Sequence, residues 1–493
     1  MARNVDKERA NGDATLDVAQ IIAHARTAQA TWAALPAGER LRVLERFRRA
    51  LAAHPDPLIE SVDCNHQRAA GETLSAEVLP LAESCRFLER NAERLLRPRR
   101  LGQRIFPLWL SRTTGEIRRE PFGVVLVIGP SNYPLLLTGA PALSALAAGN
   151  AVVIKPGRTG LPAARAFADA MAGAGLDPAL CPVLDESPES GRAATEAGVD
   201  RVVLTGSAKT GSAVLHALAD RLVSATMELS GCDALFVLGS ADPEFVARAI
   251  AFGLRINCGA TCIAPHRIFV PKPLAADMER LLTERLSKLT PCTIDPAVFE
   301  RVTGLLNEAT ASGARQLTGH DNTAERFAPV LIADATPEMR LMKSDLFCAA
   351  VALVPVEDME QALRMDERCP FALGASVFGA EPDALQLARR VNAGSVCVND
   401  LIAPTVDPRL PFGGRGRSGF GITRGEEGLI EMTQLKAIAV RGGRMRPHYD
   451  TPRPGDAELM RSLLRASHAT GTMTRIRSLW RAMRQLMKRK PEP

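Results

Sequence analysis

The stretch FGVVLVIGP, residues 122–130, is a short apolar run, rich in β-branched residues, that ends in Gly-Pro. Similar runs follow as AVVIKP, RVVLTG and ALFVLG (151–156, 201–206 and 234–239), separated by segments of helical periodicity such as LPAARAFADAMAGAG. Buried strands that alternate with helices are typical of parallel sheets covered on both faces. The alternation resumes after residue 262 with HRIFVP, AAVALVPV, GASVFG and GSVCVN. The sequence therefore predicts an α/β fold with two doubly wound parallel-sheet domains.

The bulk composition is that of a globular cytoplasmic protein. At 493 residues the chain is too long for one core, and its hydrophobic content of 46% is ordinary. The charged N-terminus lacks the apolar core of a signal peptide, and no apolar run reaches the roughly 18 to 20 residues that span a bilayer. Ten cysteines without CxxC pairs indicate free thiols in a reducing compartment.

The net charge of +6 is concentrated in two basic clusters, at residues 97–120 and in the last twenty residues. Neither cluster is interleaved with the aromatic side chains that a nucleic-acid platform needs, and the chain has only two tyrosines. This pattern argues against nucleic acid as a partner.

The stretch INCGATCIAP, residues 256–265, places Cys258 and Cys262 four positions apart. The stretch lacks a second cysteine pair at ligand spacing, so no metal site is expected. One of the thiols could be a nucleophile, or both could be ordinary buried cysteines. The spacing alone does not separate these alternatives.

Three further motifs each allow two interpretations. The turn in VLTGSAKTG (203–211) could cradle a phosphate at a helix N-terminus or simply allow close packing. Asn132, at the end of the first strand, could donate to an oxyanion or belong to an ordinary turn. Glu228, in the apolar segment MELSG, could be a general base with a raised pKa or an ion-paired surface residue.

Seven motifs together resemble the aldehyde dehydrogenase superfamily in order and spacing, from about residue 20 to about residue 455. They are EPFGVVLVIGPSNYP, AAGNAVVIKP, LTGSAKTG, MELSG, INCGATCIAP, VCVND and LPFGGRGRSGFG. The short N-terminus and the RPHYDTP stretch are most similar to the class-3 branch, which handles fatty and aromatic aldehydes. The resemblance implies oxidation of an apolar aldehyde to its carboxylate, with NAD(P)+ as the hydride acceptor.

The resemblance assigns the catalytic roles to three residues. Cys262 matches the nucleophile that forms a thiohemiacetal and then a thioester. Asn132, together with the backbone N–H of Cys262, matches the oxyanion site, and Glu228 matches the base that activates water.

The cofactor residues follow in the same way. Lys155 matches the lysine that reaches the adenosine ribose, and the turn from Gly206 through Ser207 to Gly211 matches the pyrophosphate cradle. Asp345 and Phe347 match an E-x-F pair at the nicotinamide ribose.

Several positions depart from the family pattern. Arg158 stands where many members have a glutamate, and an arginine beside Lys155 favours the 2′-phosphate of NADP+. Asp345 is one methylene shorter than the usual glutamate, which shortens its reach towards the ribose. These changes keep two alternatives open: a slow or non-catalytic paralogue that binds nucleotide, and a coenzyme A-acylating relative. Glu228 argues against the second alternative, because such relatives lack the base.

The resemblance also implies a domain plan and a homodimer. The NAD(P)-binding domain is expected at residues 1–102 and 122–232, and the catalytic domain at 233–431. An oligomerisation arm, 103–121 with 432–448, would pair two subunits, and residues 449–493 would form a tail.

Two features lie outside the family pattern. If the segment around Cys258 were helical, its thiol could pair with that of Cys262 under oxidation. The tail segment 475–490 has the periodicity of a basic amphipathic helix, with Ile476, Leu479, Trp480, Met483, Leu486 and Met487 on one face. That helix could pack on its own protein or contact an anionic membrane surface.

Overall fold

The computed structural model describes residues 17–66, 68–103, 110, 112–443, 446, 448, 449 and 451–487, with the side chains of 63–66 left aside. The chain divides into two compact units. The first contains residues up to 95 and residues 121–434, and the second contains 96–120 and everything from 435 onward. Three segments named in the sequence analysis lie outside the described residues. They are the charged N-terminus, part of the predicted arm segment 103–121 and the basic residues 488–490.

The helices are mostly short and lie between strands, as the periodicity predicts. They are α1 (Val18–Ala34), α2 (Ala37–Ala53), α3 (Asp56–His66), α4 (Ala70–Thr73), α5 (Leu79–Leu96), α6 (Leu136–Ala148), α7 (Leu161–Gly173), α8 (Pro188–Glu196), α9 (Ala208–Ala219), α10 (Pro243–Arg255), α11 (Lys272–Leu286), α12 (Pro296–Ala311), α13 (Met359–Asp366), α14 (Glu381–Ala388), α15 (Gly425–Ile430), α16 (Asp456–His468) and α17 (Thr472–Met487). A π-helical turn, Leu74–Val78, joins α4 to α5.

The strands include every apolar run quoted from the sequence. They are β1 (Arg99–Leu101), β2 (Thr113–Pro121), β3 (Val124–Ile128), β4 (Ala151–Lys155), β5 (Arg201–Gly206), β6 (Ser224–Leu229), β7 (Asp233–Val237), β8 (Pro265–Pro271), β9 (Arg315–Gln316), β10 (Val330–Ala333), β11 (Ala350–Val356), β12 (Phe371–Ala372), β13 (Gly374–Phe378), β14 (Ser395–Val398), β15 (Arg415–Gly416), β16 (Gly419–Phe420) and β17 (Thr433–Arg441).

Two large sheets form the core of the first unit. One has the order β16-β6-β5-β3-β4 and is parallel except for β16. The other has the order β14-β13-β7-β8-β11-β10-β9 and is parallel except for β9. All five residues of β3 are buried, and so are all five of β7, because helices cover the sheets. The predicted α/β class with two mainly parallel sheets is confirmed, whereas the domain boundaries stay a prediction.

The second unit is small. Strands β1, β2 and β17 form a three-stranded sheet, with β1 and β2 antiparallel. Helices α16 and α17 pack on each other through Leu459, Leu463 and Ala482. None of the helices described is long and apolar enough to cross a membrane.

Candidate active site

A cavity of about 260 Å³ opens at the carboxyl ends of β3, β5 and β6. Its walls include seven of the ten predicted site residues, namely Asn132, Gly206, Ser207, Glu228, Cys262, Asp345 and Phe347. Ligands of open α/β sheets collect at this edge. Three predicted residues, Lys155, Arg158 and Gly211, are not part of the cavity wall.

Cys262 reaches the cavity because the MELSG segment ends in glycine. The segment carrying Cys262 passes so close to Gly231 that a Cβ there would lie 2.4 Å from the Cys262 carbonyl oxygen. Any side chain at position 231 would therefore push the two segments apart. This contact brings the cysteine to the end of β6, beside Glu228.

Glu228 is on β6 and is only 2% exposed. Thr423 donates a 2.7 Å hydrogen bond to its Oε2, while Oε1 is buried without a hydrogen-bond partner in the described structure. Burial raises the pKa of this carboxyl, and the Arg424 guanidinium and the Thr423 hydroxyl oppose the rise. The free Oε1 can therefore accept a proton or a water hydrogen inside the cavity.

The Cys262 thiol lies in an environment that disfavours the thiolate. Burial raises its pKa well above the usual range, and the carboxylates of Glu228, Asp233 and Asp345 raise it further. Arg424 acts in the opposite direction. At neutral pH this thiol is therefore protonated before substrate and cofactor arrive.

Asn132 is anchored on both its side chain and its backbone. Its Nδ2 donates to the carbonyl oxygen of Ala260 at 3.0 Å, two residues before Cys262. Its own carbonyl accepts hydrogen bonds from Arg68 and, at 3.1 Å, from Asn257 Nδ2. One amide N–H is thus used to hold the side chain against the cysteine segment, and the other is available to a ligand.

The GSAKTG turn joins β5 to the N-terminus of α9. Ser207 is the N-cap residue, and its Oγ accepts a 3.1 Å hydrogen bond from the Thr210 backbone N–H. Gly211 packs against β6, where a Cβ would lie 2.8 Å from Leu229. Both features considered for this turn are therefore present. Gly211 allows close packing on β6, and the N-terminus of α9 lies at the cavity wall.

Lys155 is the last residue of β4, and Arg158 lies three residues beyond it. Burial lowers the pKa of Lys155, while the nearby carboxylates of Asp185, Glu186 and Glu189 raise it. Arg158 has a side chain that is 72% exposed and is ion-paired with Asp295.

Asp345 and Phe347 are held by a loop that α12 supports. Arg301 donates to the carbonyl oxygens of Asp345 and Leu346, the latter at 3.0 Å. Burial raises the pKa of the Asp345 carboxyl, against hydrogen bonds from Ser230 and the Phe347 backbone, and its Oδ1 has no hydrogen-bond partner in the described chain. Phe347 has a φ of 55°, a strained value for a bulky residue, so the loop holds this ring in a costly conformation at the cavity.

The hypothesis that Cys258 pairs with Cys262 is not supported, because the required helix is absent. Asn257 and Cys258 have φ values of 47° and 54°, in the left-handed region. The hydrogen-bonding partner of the Cys258 thiol is the Cys292 thiol, which lies just before α12 and lowers the pKa of Cys258. Both thiols are free.

Sequence reasoning missed residues that act on the site from distant parts of the chain. Thr423 and Arg424 lie almost 200 positions from Glu228, and Arg301 lies on a helix with no distinguishing motif. Arg68 and Glu77 form a buried ion pair with an N–O distance of 2.8 Å behind Asn132. In the sequence they are two charges in a helical, charge-rich region, which is the usual pattern of a solvated surface.

Comparison with known proteins gives one consistent result. The model of the aldehyde dehydrogenase family matches residues 6–438. The 4,4'-diapolycopene aldehyde oxidase of a Methylomonas species is 29% identical over 426 residues, 84% of this chain and 80% of that protein. A Pseudomonas aeruginosa protein, named a probable coniferyl aldehyde dehydrogenase, is also 29% identical, over 82% of this chain and 86% of its own.

A solved structure agrees with these relatives. The NADP-dependent glyceraldehyde-3-phosphate dehydrogenase from Bacillus halodurans C-125, in complex with NADP, superimposes with a TM-score of 0.79. It is 27% identical, over 86% of this chain and 91% of that chain. On the extent of the family match, this chain belongs to the aldehyde dehydrogenase family, whose members oxidise aldehydes to acids with NAD(P)+.

Proposed function

We propose that this protein oxidises an apolar aldehyde to its carboxylate in the cavity. Cys262 is the nucleophile, Asn132 donates to the oxyanion, and Glu228 is the general base. The observation that carries this proposal is that the three side chains line one cavity. Four apolar residues, Leu137, Leu229, Val298 and Phe347, line it with them and support an apolar substrate.

In the first step the sulfur of Cys262 attacks the aldehyde carbon. The thiol proton passes to a water molecule, a C–S bond forms, and the carbonyl oxygen becomes an oxyanion. The second N–H of the Asn132 amide and the backbone N–H of Cys262 donate to that oxygen. The hydrogen bond to Ala260 holds the Asn132 side chain, so the second amide N–H is oriented before substrate binds. A donor that is oriented in advance stabilises an oxyanion strongly.

In the last step Glu228 releases the acid. Its unpartnered Oε1 accepts a proton from a water molecule, the water oxygen attacks the thioester carbon, and the C–S bond breaks to return the Cys262 thiolate. Burial raises the pKa of Glu228, which makes it a stronger base than an exposed glutamate. Thr423 holds the other carboxylate oxygen, so Oε1 keeps a fixed direction.

The residues around the cavity fit a pyridine dinucleotide. The buried Oδ1 of Asp345 lacks a hydrogen-bond partner among the described residues, and it lines the cavity as an acceptor for a ribose hydroxyl. Gly206 and Ser207 present the N-terminus of α9 to a pyrophosphate, with Gly211 packing that helix onto β6. Loss of a hydride from the carbon bound to Cys262 gives the thioester, and NAD(P)+ would supply the acceptor for that hydride when bound.

NADP+ is the preferred dinucleotide in this proposal. The ion pair between Arg158 and Asp295 is exposed on the arginine side, and exposed pairs contribute only about 0–1 kcal/mol. A 2′-phosphate, with more charge than one carboxylate, can therefore compete for the Arg158 guanidinium. Lys155, close to three carboxylates, is assigned to the ribose hydroxyls.

The same proposal includes a homodimer in the cytoplasm. Strand β17 exposes Leu435, Ile438 and Val440 along an edge of its sheet, and an exposed apolar edge strand is a template for pairing with another chain. Nine cysteines in the described residues are free, which supports a reducing compartment.

The chemical roles are tested with purified wild type, Cys262→Ala and Glu228→Gln on a panel of aliphatic and aromatic aldehydes. Nucleotide reduction at 340 nm reports the oxidation. Wild type should turn over apolar aldehydes, and Cys262→Ala should be inactive while retaining nucleotide binding. No reduction by wild type with any aldehyde would overturn the proposal and favour a non-catalytic binding protein.

Glu228→Gln separates acylation from hydrolysis. We expect a burst of one reduced nucleotide per site, followed by steady-state turnover reduced by about 10²–10⁴-fold. Rescue of that turnover by coenzyme A would indicate the acyl-transfer alternative. Mass spectrometry should detect the acyl group on the peptide that contains Cys262, and a label at Cys258 would contradict the assignment.

A further inference from the structure

The C-terminal hairpin of α16 and α17 lies beyond the part of the chain that the family model matches. The family model ends at residue 438, and α16 begins at Asp456. The two helices bury Leu459, Leu463 and Ala482 between them, with Leu486 packed alongside. Packing within the hairpin therefore accounts for only one face of α17.

Four residues of the predicted apolar face of α17 are exposed in this structure, whereas Leu479 and Leu486 are partly buried. Met473, Ile476, Trp480, Met483 and Met487 recur at spacings of three and four residues, and their exposed fractions lie between 43% and 74%. This spacing aligns the five side chains in one stripe along the helix. An exposed stripe of this kind is a mark of an interaction surface.

A row of arginines follows one edge of the stripe. Arg477, Arg481 and Arg484 each come directly after a stripe residue, so they lie about 100° further round the helix. No Asp or Glu occurs between Glu458 and Glu492. The exposed apolar surface is thus bordered by positive charge alone.

This charge pattern selects the kind of partner. If the stripes of two copies paired, the same arginine rows would come together with no carboxylate on either helix to neutralise them. An anionic phospholipid surface satisfies both features, since the apolar side chains enter the acyl boundary and the arginines reach the headgroup phosphates. A tryptophan at the centre of the stripe is also the residue type that favours the membrane interface.

We propose that the exposed stripe of α17, residues 473–487, lies flat in the headgroup region of an anionic phospholipid bilayer and holds this dehydrogenase at the membrane surface. Helix α17 has 16 residues and four arginines, so it lies along the interface instead of crossing it. The proposal does not depend on the assignment of the active-site residues.

Co-sedimentation of the full chain with vesicles tests the proposal. The probes are phosphatidylcholine vesicles and vesicles with 30% phosphatidylglycerol, at low salt and at high salt. Binding should require phosphatidylglycerol and weaken as salt rises. An equal amount of sedimented protein with and without anionic vesicles would overturn the proposal.

Two sets of variants separate the apolar and the electrostatic contributions. Ile476→Asp with Trp480→Asp should abolish binding. Arg477→Gln, Arg481→Gln and Arg484→Gln together should weaken partition on the order of a hundredfold, about fivefold for each charge near the surface. The matched control removes three exposed arginines elsewhere, with Arg248→Gln, Arg364→Gln and Arg389→Gln, and should bind nearly as wild type.

Trp480 gives a direct spectroscopic readout. It is 61% exposed, so its emission should shift to the blue with anionic vesicles, and brominated lipids should quench it. Trp480→Phe should lose the signal and keep sedimenting. If the aspartate variants instead halve the molar mass in light scattering and wild type ignores vesicles, the stripe is a contact between copies and the membrane proposal is wrong.

Discussion

At the scale of single residues, Glu228 and Cys262 disfavour each other's ionised form inside the cavity. Glu228 is buried and Cys262 is partly buried; loss of solvent raises the pKa of both groups, and the negative charge of Glu228 raises the pKa of the Cys262 thiol further. Their joint ionisation is therefore unfavourable until a ligand changes the local charge. This opposition keeps the nucleophile protonated at rest and leaves the base available for the later hydrolysis.

Alkylation of the enzyme without nucleotide measures this opposition. The rate at which iodoacetamide modifies Cys262, followed by mass spectrometry of its peptide, should have a midpoint above the ordinary cysteine value of about 8.5. Glu228→Gln should lower the midpoint, because it removes a charge that disfavours the thiolate. Glu186→Gln, a change away from the cavity, is the control. A wild-type midpoint at or below 8.5, or no change in Glu228→Gln, would contradict this account.

Arg158 and Asp295 provide the test of nucleotide preference. Asp295→Asn should raise kcat/KM for NADP+ relative to NAD+, because it frees Arg158 while the asparagine can still cap α12. Arg158→Glu should reverse the preference by at least tenfold, since a glutamate repels the 2′-phosphate. Arg165→Glu is a control for net charge. A wild-type preference for NAD+ of more than tenfold would refute the NADP+ assignment.

At the scale of elements, the predictable parts of the fold are those with a local signal. Strands β3, β4 and β5 are continuous apolar runs, and each is a buried strand in the structure. The contacts that orient the site carry no such signal, since Thr423 meets Glu228 only because β16 pairs with β6. The contact of Cys258 could not be predicted from the sequence either. Its backbone is left-handed instead of helical, so its thiol contacts Cys292 and not Cys262.

The segment that joins β3 to α6 is held by the buried pair of Arg68 and Glu77. Glu77 Oε2 accepts the backbone N–H groups of Leu135, at 2.7 Å, and of Leu136, at 3.0 Å, at the start of α6. Arg68 links that carboxylate to the carbonyl of Asn132. The pair is therefore placed to position the Asn132 amide without touching substrate.

Glu77→Gln should lower kcat with little change in KM for the aldehyde, because the oxyanion contact forms only in the transition state. Loss of one partner of a buried ion pair should also cost about 3–5 kcal/mol of unfolding free energy. In an Asn132→Ala background the same change should leave kcat almost unaltered, as expected for a residue that acts through Asn132. Equal losses of kcat in the wild-type and Asn132→Ala backgrounds would indicate general destabilisation. Glu45→Gln, which removes a carboxylate from an exposed ion pair, is the control.

At the scale of the whole molecule, the second unit presents two apolar surfaces with different charge. Strand β17 exposes Leu435, Ile438 and Val440 and carries Lys436 paired with Glu120 at 2.7 Å. The stripe of α17 has only positive charge beside it. A surface with both signs of charge is compatible with a second copy of itself, whereas the α17 stripe is not.

The two surfaces should therefore respond independently to mutation. Ile438→Asp with Val440→Asp should convert the proposed homodimer to a monomer in light scattering, because two carboxylates per strand would be buried or brought together in the paired edge. Vesicle binding by α17 should persist after that change. Its affinity should fall only because a monomer presents one α17 helix to the vesicle, whereas a dimer presents two. Leu385→Asp, at an exposed leucine of α14, controls for added charge. A monomeric wild type, or a dimer that withstands both aspartates, would show that β17 does not pair the subunits.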